Sequence, residues 1–298
     1  MTILLTGSNG FIAQHIAKVL LLETGHSIIC TSKNEDKLPF ALQNSSYYFV
    51  KMDIGNPEDV KKVLNESHPD IIIHAAAIGS ADVCELQKEM CDVINIAATE
   101  LLAELSKKMD CKLIFLSTDF IFDGKNGPYE EEDAAGPLNY YGLSKLKGEK
   151  AVLGSNEKNC VVRLCSVYGP AISGKPRGII TLTKDKLSSG CEISVVSDQW
   201  RTPTYVLDIA KAVREIIKKN AIGIYHISGD EFKTPYEMAL AAALYYKLDI
   251  ALIKKVTTKE LKEAAERPLK TGFKIIKAKT DLDFIPINLA DGLQNLRF

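Results

Sequence analysis

Residues 1–13 read MTILLTGSNGFIA. Ile3-Leu4-Leu5 is a short apolar run of the kind shown by a strand buried on both faces. Thr6-Gly7-Ser8-Asn9-Gly10 is a polar turn, and Phe11, Ile12, Ile16, Val19 and Leu20 then keep a pattern that suits a helix packed on a sheet. The glycines take the form Gly7-x-x-Gly10-x-x-Ala13. Gly7 permits a sharp turn, Gly10 lets a phosphate approach the backbone, and the small Ala13 lets helix and strand pack closely. The start of such a helix offers free N–H groups and a partial positive charge to a pyrophosphate. A plain strand–turn–helix corner can carry the same glycines, so motifs further along the chain must decide between the two.

Strand patterns recur at 26–31 (HSIICT), 47–52 (YYFVKM), 70–77 (DIIIHAAA), 112–117 (KLIFLS) and 159–165 (NCVVRLC). Helical patterns lie between them: one opened by Asn56 as N-cap with Pro57 in the first turn, a long one over 93–109, and one within 137–153. This alternation predicts an α/β fold, a doubly wound parallel sheet of the Rossmann type, with its ligand at the carboxyl ends of the strands. Those ends are Gly7, Thr31–Lys33, Asp53, Ala75–Gly79, Ser117–Asp119 and Ser166–Tyr168. After Pro170 the pattern loosens. Residues 171–178 (AISGKPRG) read as a loop. Next come a helix near 180–188, a strand at 192–196, a turn at 197–203, a helix at 206–219, a strand at 223–228, a helix at 235–248 and weaker patterns from Ile250. The expectation is a dinucleotide-binding domain over 1–165 and a smaller α/β substrate-binding lobe over 166–298. The boundary is soft, because elements of such lobes often return to the main sheet.

The 298 residues allow one large domain or two modest ones, and 46% hydrophobic with 25% charged residues is ordinary for a globular chain. With 37 Lys and Arg against 38 Asp and Glu the net charge is −1. That balance points to neither a nucleic-acid nor a membrane partner, and any anion binding must be local. The seven cysteines include no CxxC pair and are odd in number, which predicts reduced, mostly buried thiols and a cytoplasmic location. No apolar stretch reaches membrane-spanning length, and a first strand starting at residue 3 leaves no room for a cleavable leader. The five histidines lack ligand spacing, so no metal site is expected.

The chemistry concentrates in Tyr141-Gly142-Leu143-Ser144-Lys145. Tyr141 and Lys145 are four apart and share a helix face. A phenol ordinarily titrates near about 10, and a cation beside it favours the phenolate and draws it toward the working range. One strand earlier, Ser117-Thr118-Asp119 places a hydroxyl at a strand end, where it can hold a carbonyl or hydroxyl against the tyrosine. The second strand ends Cys30-Thr31-Ser32-Lys33, with no acid before Glu35 to take a ribose 2′-OH. Ser32 and Lys33 suit a 2′-phosphate instead, so NADP(H) is favoured over NAD(H).

On TGSNGFIA (6–13), PDIIIHAAA (69–77), STDFIFDG (117–124), YGLSK (141–145), RLCSVYGP (163–170) and DQWRTPT (198–204) the chain resembles the extended short-chain dehydrogenase/reductases, and among them the dTDP-4-dehydrorhamnose reductase branch. The resemblance implies an NAD(P)(H)-dependent oxidoreductase that reduces the 4-keto group of a nucleotide-linked sugar. It implies Tyr141 as proton donor and acceptor at the sugar C4 oxygen, Lys145 on the nicotinamide ribose, and Thr118 bonded to the reacting oxygen. Asp119, Phe120, Ser166 and Arg201 fall on the substrate side, with Arg201 as a cation for a substrate diphosphate. Gly7, Asn9, Gly10, Phe11 and Ile12 fall around the pyrophosphate, Asp53 and Ile54 beside the adenine, and Ala75, Ala76 and Ala77 along the ribose.

Two positions depart from the branch. Ser166 stands where the rhamnose-forming reductases carry a tryptophan, and Ala77-Ile78-Gly79 replaces their Ala-Tyr-Thr. Asp82 and Glu85 match the branch's acidic pair. Phe120, rather than a second acid, comes after Asp119, which argues against a dehydratase. The alternatives are an epimerase that keeps its NAD and a non-catalytic subunit resembling the regulatory subunit of methionine adenosyltransferase, which belongs to the same branch. A homodimer is left open, since nothing in the sequence tells which faces would meet.

Overall fold

Ile3, Leu4 and Leu5 are fully buried, as a strand covered on both faces requires. The computed structural model describes residues 1–39, 45–174 and 178–296; of the loop read at 171–178, Lys175 to Arg177 lie outside the described residues. The strands are β1 (Thr2–Thr6), β2 (Ser27–Ser32), β3 (Tyr47–Lys51), β4 (Ile71–His74), β5 (Lys112–Thr118), β6 (Cys160–Leu164), β7 (Val167–Tyr168), β8 (Ile193–Val196), β9 (Thr204–Tyr205), β10 (Gly223–Ile227) and β11 (Ile253–Val256). Seven of them form one parallel sheet in the order β3-β2-β1-β4-β5-β6-β10. The winding reverses between β1 and β4, and the carboxyl ends there open a crevice.

Alternate residues of the sheet feed two cores. Ile3, Leu5, Ile73, Ile114 and Leu116 pack with Ile16 and Leu20 of α1 (Phe11–Leu20) and with Ile209 and Val213. Leu4, Ile72, Leu113 and Phe115 pack on the other face with Val60 and Leu64 of α2 (Pro57–Ser67), and with Leu102 and Val152. Helix α2 opens as its sequence predicts: Asn56 Oδ1 accepts the Glu58 N–H at 3.1 Å, and Pro57 takes the first position.

Two expectations need correction. The strand read at 70–77 ends at His74, because Ala75 and Ala76 turn their N–H groups to Thr6 Oγ1, each at 3.2 Å, instead of to a neighbouring strand. The helix read at 93–109 begins earlier. After α3 (Ala81–Leu86), α4 (Lys88–Cys91) runs without a break through a π-helical turn, Asp92–Ala97, into α5 (Ala98–Lys108). The wide turn directs the buried Asn95 side chain to the Ile78 backbone and to Ser144 of the helix that follows β5.

The chain continues with α6 (Tyr140–Ser155), α7 (Ile179–Ser188), α8 (Val206–Lys218), α9 (Pro235–Tyr245), α10 (Thr258–Leu261), α11 (Ile276–Leu282) and α12 (Leu289–Gln294). Beyond residue 165 the elements divide between two bodies of packing. Helices α7 and α9 with the parallel pair β8 and β11 make a small lobe around Leu187, Ile193, Val195, Ala239 and Ile253. In contrast, α8 packs along α1, β10 forms the sheet edge beside β6, and α11 packs on both β10 and α8. A cut at 165 therefore divides the sequence but not the core. Six cysteines are buried thiols and Cys191 is exposed. Among the described residues no helix is long and apolar enough to cross a membrane, and no group of three or more His, Cys, Asp or Glu is placed to hold a metal ion.

Candidate active site

The first turn of α6 is fixed from outside. Asn139 Oδ1 accepts the Gly142 N–H at 2.9 Å, and Glu85 Oε2 accepts the Tyr140 N–H at 2.9 Å. Asp82 takes the Ala265 N–H at 2.9 Å and Arg267 Nη2 at 2.6 Å. The acidic pair thus anchors α6 and the segment around residue 265.

These anchors set Tyr141 and Lys145 in a cleft of about 510 Å³ at the carboxyl end of the sheet. Of the sequence-predicted residues, Gly10, Phe11, Ile12, Ala75, Ala77, Thr118, Asp119, Phe120, Tyr141, Lys145, Ser166 and Arg201 line it. Gly7, Asn9, Ser32, Lys33, Asp53, Ile54 and Ala76 lie off the lining. Ile179, Gln199 and Pro235 also line it, and the sequence did not single them out. Gln199 sits inside the quoted DQWRTPT stretch, whereas nothing local marks Ile179 or Pro235.

Gly7 has φ +67°, and a Cβ there would stand 2.7 Å from the Ala76 Cα. Ala76 therefore floors the glycine turn instead of facing the cleft, and Gly10 N–H closes the turn on Gly7 O at 2.8 Å. His74 ties the ends of β1 and β4 to the helix behind them. Its Nδ1 lies 2.8 Å from Thr6 Oγ1 and its Nε2 3.0 Å from Thr99 Oγ1; burial holds it neutral, with its pKa lowered to about 3. In α1 the first N–H with a helical partner is that of Gln14, bonded to Gly10 O at 3.0 Å. The N–H groups of Phe11, Ile12 and Ala13 precede it at the cleft, with no acid in the first turn.

Farther out, Asn9 Nδ2 donates to Ser32 Oγ and to Glu35 O, both at 2.9 Å, which laces the first turn to the end of β2. Lys33 Nζ lies 2.8 Å from Asp53 Oδ2, and that contact lowers the Asp53 pKa.

Thr118 Oγ1 accepts the Phe120 N–H at 3.2 Å and donates to Asp119 Oδ1 at 3.2 Å, and the hydroxyl acts to lower the Tyr141 pKa. The Phe120 ring meets the Tyr141 ring edge-on, centroids 6.0 Å apart. The expected lowering of the phenol pKa by Lys145 is not seen. Burial dominates and raises the Tyr141 pKa, only partly opposed by the Thr118 hydroxyl, so the group is held as the neutral acid. Lys145 is 3% exposed, with Nζ 3.9 Å from the Phe115 ring centroid. Burial brings its pKa down from 10.5 to about 7, opposed chiefly by Glu149.

Arg201 also differs from expectation. It lines the cleft, but Nη1 donates to Trp200 O (2.8 Å) and Leu269 O (3.3 Å), Nη2 donates to Gln199 Oε1 (3.2 Å) and Pro268 O (2.8 Å), and Nε faces Asp119 Oδ2 at 3.5 Å. The guanidinium is committed to the protein and does not present a free fork to a diphosphate. Asp119, held by Arg201 and by the Thr271 hydroxyl, has its pKa raised by burial, with Arg201 opposing. Ser166 holds φ +44°, and its carbonyl accepts the Thr204 N–H at 3.1 Å. Asn95, which the sequence did not single out, takes the Ile78 N–H at 2.8 Å on Oδ1 and gives Nδ2 to Ile78 O (3.1 Å) and Ser144 Oγ (3.1 Å). It ties the π turn to α6. An asparagine among Val93, Ile94 and Ile96 is the available signal.

A family model described as the RmlD substrate binding domain matches residues 1–296. The chain belongs to that family. Among curated proteins, this RmlD-family chain is 30% identical over 285 residues to methionine adenosyltransferase 2 subunit beta of Rattus norvegicus, covering 93% of this chain and 81% of that protein. It is 28% identical to dTDP-4-dehydrorhamnose reductase of Aggregatibacter actinomycetemcomitans, covering 99% and 98%. Among solved structures, dTDP-4-dehydrorhamnose reductase from Bacillus anthracis in complex with NADP superposes with a TM-score of 0.83 at 27% identity, covering 98% of this chain and 97% of that one.

Proposed function

We propose that this chain is an NADP(H)-dependent reductase of a nucleotide-linked keto-sugar, resembling the dTDP-4-dehydrorhamnose reductases. The observation that carries the reading is the convergence of Thr118, Tyr141 and Lys145 on one cleft whose floor is the start of α1. A nicotinamide dinucleotide fits the residues present. The Phe11–Ala13 N–H groups suit a pyrophosphate. Lys145 Nζ, packed over the Phe115 ring at the cleft wall, suits the hydroxyls of a ribose. The cofactor supplies a hydride when bound. Tyr141, neutral by burial, gives its proton to the oxygen of the carbonyl under reduction. Thr118 orients that oxygen beside the phenol, and the Lys145 ammonium stabilises the phenolate left behind. A cytosolic setting suits the free thiols.

The test is NADPH oxidation with dTDP-4-dehydrorhamnose, monitored by loss of reduced-nicotinamide absorbance and repeated with NADH. Turnover supports the reading and shows that Ser166 serves in place of the tryptophan. Failure across a panel of nucleotide-linked keto-sugars would overturn it. The similarity to methionine adenosyltransferase 2 subunit beta favours a second reading, a non-catalytic subunit that keeps the cofactor cleft. NADPH binding without turnover of any such sugar would support that one.

For cofactor choice, the exposed Lys33–Asp53 pair is readily exchanged for a 2′-phosphate. Lys33→Ala is expected to weaken NADPH binding about tenfold and to leave NADH within about twofold, measured by fluorescence titration. Equal effects on both cofactors would take Lys33 out of the selection.

A further inference from the structure

Behind the cleft wall lies a buried ionic network that takes no part in the proton and hydride transfers. Glu149 stands one helical turn beyond Lys145 on α6 and is 2% exposed. Arg163 of β6, 4% exposed, grips its carboxylate, with Nε 3.1 and 3.2 Å from the two oxygens and Nη2 2.8 Å from Oε2. The Ser117 hydroxyl donates to Glu149 Oε1. Arg163 Nη1 continues to Glu131 O at 3.0 Å and His226 Nε2 at 3.3 Å. His226 Nδ1 faces Tyr129 O at 3.2 Å, which assigns the ring proton to Nδ1 and leaves Nε2 to accept from Arg163.

We propose that Glu149 and Arg163 are positioning residues for the cleft: their buried ion pair supports the Lys145 ammonium and fixes the end of β5 through Ser117, next to Thr118. The inference rests on the reading that the cleft takes a nicotinamide dinucleotide through Lys145. An ammonium held against the Phe115 ring in a dry site needs a nearby negative charge. Tyr141 lies one turn before Lys145 and Glu149 one turn after it on the same helix, and Cys84 on α3, Cys91 on α4 and the neutral His74 on β4 surround it from other elements. Glu149 is the carboxylate among them. Alone, that carboxylate would pair with Lys145 and draw it out of the cleft. With the Arg163 fork on both of its oxygens, it supports the ammonium from one turn away and leaves Nζ free to donate. Gly148 permits the close approach, since a Cβ there would stand 2.8 Å from the Phe115 ring.

The test is NADPH affinity as a function of pH, read by the fluorescence of the bound cofactor. Ribose hydroxyls favour the charged lysine, so the pKa of Lys145 rises on binding. Affinity is then full below the pKa of the free protein, about 7, and falls as pH rises through it. In Glu149→Gln that fall is expected to begin about one pH unit lower, with acid-side affinity within about threefold of the unchanged protein. The single variant leaves Arg163 unpaired and can fail to fold. Glu149→Met/Arg163→Met removes both charges, suits a dry site, and is expected to shift the fall in the same direction but by less, because the Arg163 charge that opposes the ammonium goes with it. Lys145→Met should flatten the dependence. An unmoved fall in a cooperatively folded double variant would overturn the proposal and leave the cofactor reading standing, because a merely structural pair changes stability and not this profile. Absence of NADPH binding by the unchanged protein at any pH would overturn both.

Discussion

Tyr141→Phe is expected to cut the rate of keto-sugar reduction by about a thousandfold while NADPH affinity stays within about twofold. The hydroxyl removed is the proposed proton donor; Lys145, which carries the other acidic proton on the cleft wall, sits one helical turn further along α6. Asp119 is the nearest carboxyl, but Arg201, Thr271 and Thr118 hold it. The phenylalanine ring keeps the edge-on contact with Phe120, so the wall retains its shape. The sign of the pH dependence comes from burial. Reduction needs the protonated phenol, which predominates below its pKa, and burial raises that pKa above the ordinary value of 10.0. Tyr141 therefore should not limit turnover on the alkaline side until above the ordinary tyrosine range. Steady-state kinetics against pH check both points, and turnover within tenfold of the unchanged enzyme would take Tyr141 out of the reaction.

The residues that make the fold carry their own local signals. Ile3-Leu4-Leu5 and Ile71-Ile72-Ile73 are apolar on both sides of the strand because both faces are covered, and Asn56-Pro57 announces a helix by capping chemistry that involves no distant residue. The catalytic candidates are legible for a related reason: Tyr141 and Lys145 are related by one helical turn, and Thr118 by its place at a strand end. The destinations of polar groups are not legible in this way. Arg201 looks free in DQWRTPT; its neighbours Trp200 O and Gln199 Oε1 take part of the fork, and the return of residues 268 and 269 supplies the two carbonyls that complete its occupation. Lys33 looks free in its loop, yet Asp53, on a different strand end, takes it up. The π turn at Asp92–Ala97 is set by Asn95 reaching Ile78 and Ser144, partners from two other elements. The strand β11 falls in a stretch of weak periodicity and is made by pairing with β8, about sixty residues earlier in the chain. In each case a tertiary contact decides, and no local window contains it.

Gly142→Ala is expected to lower turnover by at least about a hundredfold, although the added methyl touches neither reacting group. A Cβ at Gly142 would stand 2.0 Å from the Phe120 carbonyl oxygen and 3.0 Å from the Pro137 Cβ. Phe120 lies in the short turn just after Thr118, so the first turn of α6 rides directly on the backbone that carries the threonine. The methyl must push α6 away from that turn or push the turn out of place, and either movement separates Tyr141 from Thr118. Ala gains about 1 kcal/mol of helix propensity over Gly, but overpacking against a carbonyl costs about 1–3 kcal/mol. The net should be a melting temperature lower by a few degrees. Cofactor affinity should fall less than turnover, because Lys145 sits a turn further along and is braced by Phe115 and the Glu149–Arg163 pair. Thermal melts together with kcat and NADPH titrations separate these effects. A variant that melts higher and turns over normally would mean that the Phe120 backbone yields without cost, and that the spacing between tyrosine and threonine is set elsewhere.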